Sequence, residues 1–175
     1  AARIVVGEGL DPVVTMGPLN NRQQFETVTE LIERSRADGA HVETVGSYRG
    51  TDGEDGYFVR PTVVTGLRND SALVQEEQFG PAVPILAFED EEEVLALAND
   101  SEYGLAASVW SQDVEHAFAL ARRVQAGSVF VNVHRVGASD PSMPFGGFKQ
   151  SGIGREGGHG GLAEYLQTKS ISFPL

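Results

Sequence analysis

The sequence of this 175-residue chain predicts an α/β fold built on a parallel sheet. Three candidate buried strands, residues 83–88, 105–110 and 128–133, alternate with two candidate helices, residues 90–99 and 114–125. Strands separated by helices are usually joined by right-handed crossovers, which makes them parallel. A hydrophobic content of 41% is ordinary for a globular protein and is sufficient for a substantial core.

The clearest element before residue 83 is a helix over Arg22–Ala37. Its apolar residues recur at helical spacing, Asn20 or Asn21 can cap its first turn, and Asp38 with Gly39 ends it. Around it the pattern predicts a short strand at 4–6, a strand at His41–Val45, a polar loop at Gly46–Gly56 and a strand at Tyr57–Val64. Pro61 indicates an edge strand or a bulge, because proline cannot donate to a ladder.

The later elements begin with carboxylates at Asp90–Glu93, which suit the exposed N–H groups at the start of a helix. In the helix predicted from Val114 to Gln125, Ala117, Phe118 and Leu120 are among the apolar residues. A short helix at Leu162–Leu166 and an alternating strand at Lys169–Phe173 complete the chain.

Charge and composition exclude several classes of function. A net charge of −12 argues against nucleic acid and anionic membranes as partners, because phosphate neutralisation needs clusters of Lys and Arg. The absence of cysteine removes disulfides, thiolate metal sites and cysteine nucleophiles. No apolar run is long enough for a membrane span and no signal segment is visible, so a cytoplasmic location is the default expectation. The four histidines show no metal-ligand spacing.

The glycine-rich segment at 144–157 contains a G-x-G-x-x-G spacing at Gly152, Gly154 and Gly157. That spacing binds a dinucleotide phosphate only between a strand and a helix within a βαβ unit. No strand pattern precedes it, the following glycines delay any helix to about Leu162, and too little sequence follows for a βαβ unit. We therefore interpret the segment as a structured loop for packing or for the wall of a site.

The segment from Glu76 to Pro81 (EEQFGP) has two interpretations. It is either a solvated acidic turn, which composition alone favours, or a ligand site. In the second case a carboxylate accepts hydrogen bonds from a diol such as a ribose, and the phenyl ring braces a planar ring.

Motifs spread over essentially the whole chain resemble the C-terminal part of the aldehyde dehydrogenase superfamily. They are, in the family's order, MGPL at 16–19, EEQFGP at 76–81, YGLAASVW at 103–110, AGSVFVN at 126–132, and the segment from Pro144 to Glu156. The resemblance implies a parallel-sheet α/β catalytic domain of the aldehyde dehydrogenase type with a C-terminal protruding strand. It also implies oxidation of an aldehyde to a carboxylic acid with NAD or NADP. In this family a cysteine thiolate attacks the carbonyl, hydride passes to the nicotinamide, and a glutamate base activates the water that releases the acid.

The same resemblance implies roles for individual residues. Glu77 would bind the nicotinamide ribose hydroxyls, Phe79 would pack on the nicotinamide, and Gln24 is a weaker match to a cofactor-contacting position. Phe145, Val133 and His134 would line the substrate pocket. Lys149, Ser151, Arg155 and Glu156 also match letters of the family motif, and we assign them to the architecture of the loop.

The family's nucleophile, its base, its oxyanion-hole asparagine and its dinucleotide-binding domain lie upstream of the segment matched here. We therefore expect a fragment that is inactive alone, with residues 1–160 a partial catalytic domain and residues 161–175 a C-terminal helix and oligomerisation strand. That strand would mediate self-association, since an unprotected strand is adhesive.

Two alternatives to this hypothesis remain. One is a non-catalytic binding or assembly module on the same scaffold. The other is a relative that acts on acyl phosphates, which the segments around Glu77 and Phe145 disfavour.

Overall fold

The computed structural model of the chain describes residues 1–50, 56–133 and 140–174. Its contacts divide the chain into two compact units, an N-terminal unit (Ala1–Ala87) and a C-terminal unit (Phe88–Leu175). Each contains helices and at least one pair of parallel strands, so the predicted α/β class is confirmed. Within the described ranges, no helix has the length and apolar character needed to cross a membrane. The predicted domain boundary at residue 160 stays a prediction.

The N-terminal unit places helices beside two small sheets. Its elements are β1 (Val5–Gly7), α1 (Arg22–Ala37), β2 (His41–Thr44), β3 (Ser47–Arg49), β4 (Thr62–Thr65), α2 (Ala72–Gln75) and β5 (Ala82–Ile85). β1 pairs in parallel with β3. β4 is the central strand of the other sheet, antiparallel to β2 and parallel to β5.

The core of this unit forms where α1 packs on β4 and on its neighbours. The buried cluster consists of Val28, Leu31, Ile32, Val64, Leu73 and Ala82. Burial of each large aliphatic side chain contributes about 1.5–3 kcal/mol. α1, which carries half of this cluster, has the predicted bounds because the signals at both of its ends are present. At its start, Asn21 Oδ1 accepts a hydrogen bond from the Gln24 backbone N–H at 2.8 Å. After its end, Gly39 has a φ of 87°.

Two predictions for this unit are wrong in detail. The loop predicted at Gly46–Gly56 includes β3, a strand that exists through its pairing with β1 about forty residues earlier. The strand predicted at Tyr57–Val64 begins only at Thr62, directly after Pro61, and it is central rather than at an edge. Proline therefore marks the start of the strand here, which is a position where its missing N–H costs nothing.

The C-terminal unit alternates helices with short strands. Its elements are α3 (Glu91–Asn99), β6 (Tyr103–Gly104), β7 (Ala106–Val109), α4 (Val114–Ala121), β8 (Ser128–Val131), β9 (Phe148–Lys149) and α5 (Gly158–Ala163). β7 and β8 are parallel, with α4 as the crossover between them, as the sequence predicts. β5, however, pairs with β4 in the other sheet, so the three strands predicted for one sheet are divided between two.

The end of the chain differs from the prediction in two ways. The short helix occupies Gly158–Ala163 instead of Leu162–Leu166, because Gly157 adopts a φ of 71° and lets the helix begin directly after it. The strand predicted at Lys169–Phe173 is not confirmed: residues 167–174 are exposed and carry neither helix nor strand assignment. A strand requires a pairing partner, and the described part of this chain offers none there.

Candidate functional site

The EEQFGP turn in the N-terminal unit presents Glu77 and Phe79 to solvent. α2 ends when Glu76 leaves it in an extended conformation, and the Gly80 N–H then donates to the Gln78 carbonyl at 2.9 Å. This three-residue turn places Phe79 at its apex, where the ring is 76% exposed. Glu77 is exposed as well. An exposed phenyl ring beside an exposed carboxylate is available to a ligand.

Close packing on α1 fixes the position of this turn. A Cβ on Gly80 would overlap one methyl group of Val28 and lie 2.9 Å from the other. Only glycine permits that approach, which explains the glycine after Phe79. The Gln78 side chain turns inward and donates to the Ala82 carbonyl at 2.8 Å, so it ties the turn to β5.

A cavity of about 370 Å³ opens beside the turn. Its lining combines two segments that the sequence presents as separate motifs, MGPL at 16–19 and the end of EEQFGP at 79–81, together with Val59. Sequence reasoning missed Val59, because its place in the lining depends on the folded chain and no local pattern marks it.

Gln24 lies on α1 one turn before Val28, which places it on the face toward the Gly80 turn. Its Nε2 is buried and has no hydrogen-bond partner within the described part of the chain. The same holds for Oε1 of Gln78, which would lie 3.1 Å from a Cβ on Gly80. The structure therefore brings Gln24, Glu77 and Phe79 into one region of the N-terminal unit, and their roles stay predictions.

The C-terminal unit holds a second, larger cavity of about 610 Å³, formed by the glycine-rich segment. Phe145 contributes to its wall together with Gly146, Gly147, residues 151–157, Leu105 and Gly161 of α5. The Phe145 backbone is paired with Glu156 through two N–H···O contacts of 2.7 Å each. Tyr165 and Glu164 also line this cavity, although no sequence pattern singled them out.

Of the other two predicted substrate-binding residues, the structure describes only Val133. Val133 follows β8, is 38% exposed and is not part of the cavity lining. His134 lies outside the described residues.

The G-x-G-x-x-G spacing does not form a dinucleotide loop. A helix does begin directly after Gly157, which corrects the expected delay to Leu162, but it spans only Gly158–Ala163. The strand before the loop is the two-residue β9, which is antiparallel to β6 and belongs to no βαβ unit. Among the described residues, no group of three or more His, Asp or Glu side chains is placed to hold a metal ion.

Comparison with known proteins decides the family. The family model described as "Aldehyde dehydrogenase family" matches residues 1–171. The chain belongs to the aldehyde dehydrogenase family. It is 41% identical over 170 residues to a betaine aldehyde dehydrogenase from Brucella anthropi, a match that covers 97% of this chain and 34% of that relative.

Solved structures of the family agree with the fold. An aldehyde dehydrogenase from Mycobacterium tuberculosis, complexed with NAD+, matches 98% of this chain and 35% of its own with a TM-score of 0.87 and 38% identity. A mutant aldehyde dehydrogenase C from Pseudomonas syringae, complexed with NAD+ and octanal, matches 96% of this chain and 34% of its own with a TM-score of 0.86 and 38% identity. The chain thus spans about a third of the length of these aldehyde dehydrogenases.

Proposed function

We propose that this chain forms part of an oxidoreductase that oxidises an aldehyde to a carboxylic acid with NAD+. The observation that carries the proposal is the turn in which Glu77 and Phe79 are both exposed, in a chain of the aldehyde dehydrogenase family. The NAD+ complexes of two structural relatives support this cofactor. NADP+ stays open as the alternative.

The residues of the N-terminal unit suit part of such a cofactor. Glu77 offers carboxylate oxygens to the hydroxyls of a ribose, and Phe79 offers a free ring face to a planar heterocycle. Gln24 offers a buried N–H donor that the described protein groups leave unused. When bound, a nicotinamide supplies the hydride acceptor of the reaction, and these side chains would hold and orient it.

For the substrate we propose a wall that includes Phe145, with Val133 and His134 as further candidates. Phe145 is supported by its position in the lining of the larger cavity. The octanal complex of one relative supports an aldehyde as the class of substrate.

These 175 residues contain no cysteine, so they do not supply the thiolate that the family's chemistry uses. We propose that they contribute binding surfaces and that turnover needs groups outside them.

We further propose self-association through residues 168–175, which sedimentation velocity of a shortened variant tests. A cytoplasmic location stays a prediction, which cell fractionation would test.

The first test exchanges Glu77 for glutamine in the full-length enzyme, with the adjacent Glu76→Gln as the matched control. Loss of a charge-assisted hydrogen bond worth about 1.5–3 kcal/mol should raise KM for NAD+ roughly ten- to hundredfold. Glu76→Gln should leave KM close to its original value. Equal effects of the two substitutions would remove the role proposed for Glu77.

The same assay also tests the proposed enzyme against the alternative, a non-catalytic binding or assembly module. Absorbance of reduced cofactor should rise with the full-length enzyme and stay flat with the 175-residue chain. Enzyme-dependent turnover by the short chain would refute its proposed inactivity. No turnover by the full-length protein across an aldehyde panel would favour the non-catalytic binding or assembly module.

A further inference from the structure

The segment Phe145–Gly147 in the wall of the larger cavity contacts Glu156, Gly127 and Arg155. Paired backbone hydrogen bonds join Phe145 to Glu156, which fixes the start of the segment. The rest of the segment has no bulky side chain of its own, since it consists of two glycines. Its position therefore depends on what contacts its backbone.

The segment is packed against Gly127, the residue directly before β8. A Cβ on Gly127 would overlap the Gly146 carbonyl oxygen and lie 2.7 Å from its carbonyl carbon. Gly127 is itself anchored, because its N–H donates to the Gly104 carbonyl at 3.0 Å. This is thus a contact of backbone on backbone, and a side chain on Gly127 would displace the segment.

The segment also contacts the Arg155 side chain. Its Nη1 donates to the Gly147 carbonyl at 3.0 Å and to the Gly154 carbonyl at 2.6 Å. The guanidinium carbon lies 5.6 Å from the centre of the Phe148 ring, within reach of a cation–π interaction. A Cβ on Gly146 would lie 2.8 Å from Arg155 Cδ, so the arginine stem also bounds the segment sterically.

We propose that Arg155 is a positioning residue that holds the Phe145–Gly147 segment in its place beside Gly127 and thereby sets the size of aldehyde that the cavity accepts. The inference rests on the proposed function, since it takes Phe145 as part of the substrate wall. Arg155 acts through Phe145 and does not need to touch the substrate. Without the guanidinium, the carbonyl of Gly147 loses the hydrogen bond that holds this part of the cavity wall.

The first experiment measures backbone hydrogen exchange and is independent of catalysis. In the 175-residue chain, Arg155→Gln should speed exchange of the Phe145 and Glu156 amides about tenfold, the effect of losing one hydrogen bond of ordinary strength. The Ser128 amide, which donates to Leu105 between β7 and β8, should be unaffected. Arg123→Gln, which removes a surface ion pair with Glu92, serves as the matched control.

Uniform acceleration of all amides of the C-terminal unit would overturn the proposal, because Arg155 would then serve general stability. Unchanged exchange at Phe145 and Glu156 would overturn it as well. If Arg155→Gln does not fold, Arg155→Lys retains the charge without the planar fork and should show the same local pattern.

The second experiment measures selectivity in the full-length enzyme. Arg155→Gln should lower kcat/KM for an eight-carbon aldehyde relative to a two-carbon aldehyde by about tenfold, mainly through KM, because the long substrate packs against the wall. In a Phe145→Ala background, Arg155→Gln should change that ratio no further. If the effects of Arg155→Gln and Phe145→Ala on that ratio are additive, the proposal is overturned. It is also overturned if Arg155→Gln lowers kcat/KM equally for both aldehydes.

The two experiments separate this inference from the function on which it rests. If the unmutated enzyme oxidises no aldehyde, the proposed function fails, and the exchange experiment still shows whether Arg155 fixes the segment. If the enzyme is active but its selectivity does not respond to Arg155→Gln, only the positioning role fails.

Discussion

The two units hold their candidate site residues by different means. In the N-terminal unit, the turn that exposes Phe79 rests on a hydrophobic core, with Gly80 packed against the fully buried Val28. In the C-terminal unit, the segment that carries Phe145 is bounded by glycine backbone and by an arginine side chain. The buried apolar side chains in the described part of that unit are Leu95 and Ala117.

This difference determines how each site should respond to substitution. A hydrophobic core contributes stability through area and volume, so a truncation lowers stability broadly. Backbone contacts and directional hydrogen bonds fix geometry, so a substitution there shifts one segment by a small distance. The N-terminal unit should therefore fail by unfolding and the C-terminal unit by local displacement.

The largest effect is expected from Leu31→Ala in the core of the N-terminal unit. Leu31 is 5% exposed, and truncation of a buried leucine costs about 2–5 kcal/mol. The comparison in the C-terminal unit is an exposed leucine, Leu162 on α5, which is 57% exposed, and Leu162→Ala should cost under about 0.5 kcal/mol. Urea denaturation of the 175-residue chain measures both. Comparable losses would show that the C-terminal unit also depends on apolar burial and would break the comparison.

An intermediate effect is expected from Gly127→Ala. The added methyl group meets the Gly146 carbonyl, and overpacking of this kind costs about 1–3 kcal/mol. Gly9→Ala is the control, because a Cβ there meets nothing within 4 Å. Thermal unfolding measures the cost, and the amide chemical shifts of Phe145 and Gly146 report the displacement. A loss of stability with unchanged chemical shifts at these two amides would contradict the local mechanism.

The sequence predicts those elements whose signals are local. Asn21 and Gly39 define α1, and Asp90 defines the start of α3, because a cap acts on the residues beside it. β3 was missed because its three residues become a strand only through pairing with β1, far away in sequence. α4 was predicted too long because its apolar pattern continues to Val124, whereas the structure ends the helix at Ala121.

The same distinction applies to the candidate sites. Family motifs drew attention to Glu77, Phe79 and Phe145, and the structure places these residues in an exposed turn and in a cavity wall. The meeting of MGPL with EEQFGP around one cavity and the contact of Gly127 with Gly146 are long-range. A glycine in a sequence reveals that a close approach is possible but not which segment approaches, so these contacts could not be predicted.

The two smallest effects concern exposed ion pairs, of which the first joins Glu92 of α3 to Arg123 beyond α4 in the C-terminal unit. The hydrogen bond from Arg123 holds the pKa of Glu92 below its ordinary value of 4.5. A carboxyl group whose pKa is lower in the folded than in the unfolded state stabilises the fold above its ordinary pKa, and that contribution is lost as the pH falls through the lowered value. Glu92→Gln should therefore lower Tm slightly near neutral pH, and the difference should vanish in acid.

Asp70, whose pKa Arg68 lowers in the same way in the N-terminal unit, provides the comparison. Asp70 and Arg68 are two residues apart, so their pair joins neighbours, whereas Glu92 and Arg123 connect different elements. Both pairs are exposed, and exposed pairs contribute little. Because, of these two pairs, the Glu92 pair is the one that joins different elements, Asp70→Asn should change Tm even less than Glu92→Gln. A Tm difference for Glu92→Gln that persists in acid would show that its cause is not the charge of Glu92.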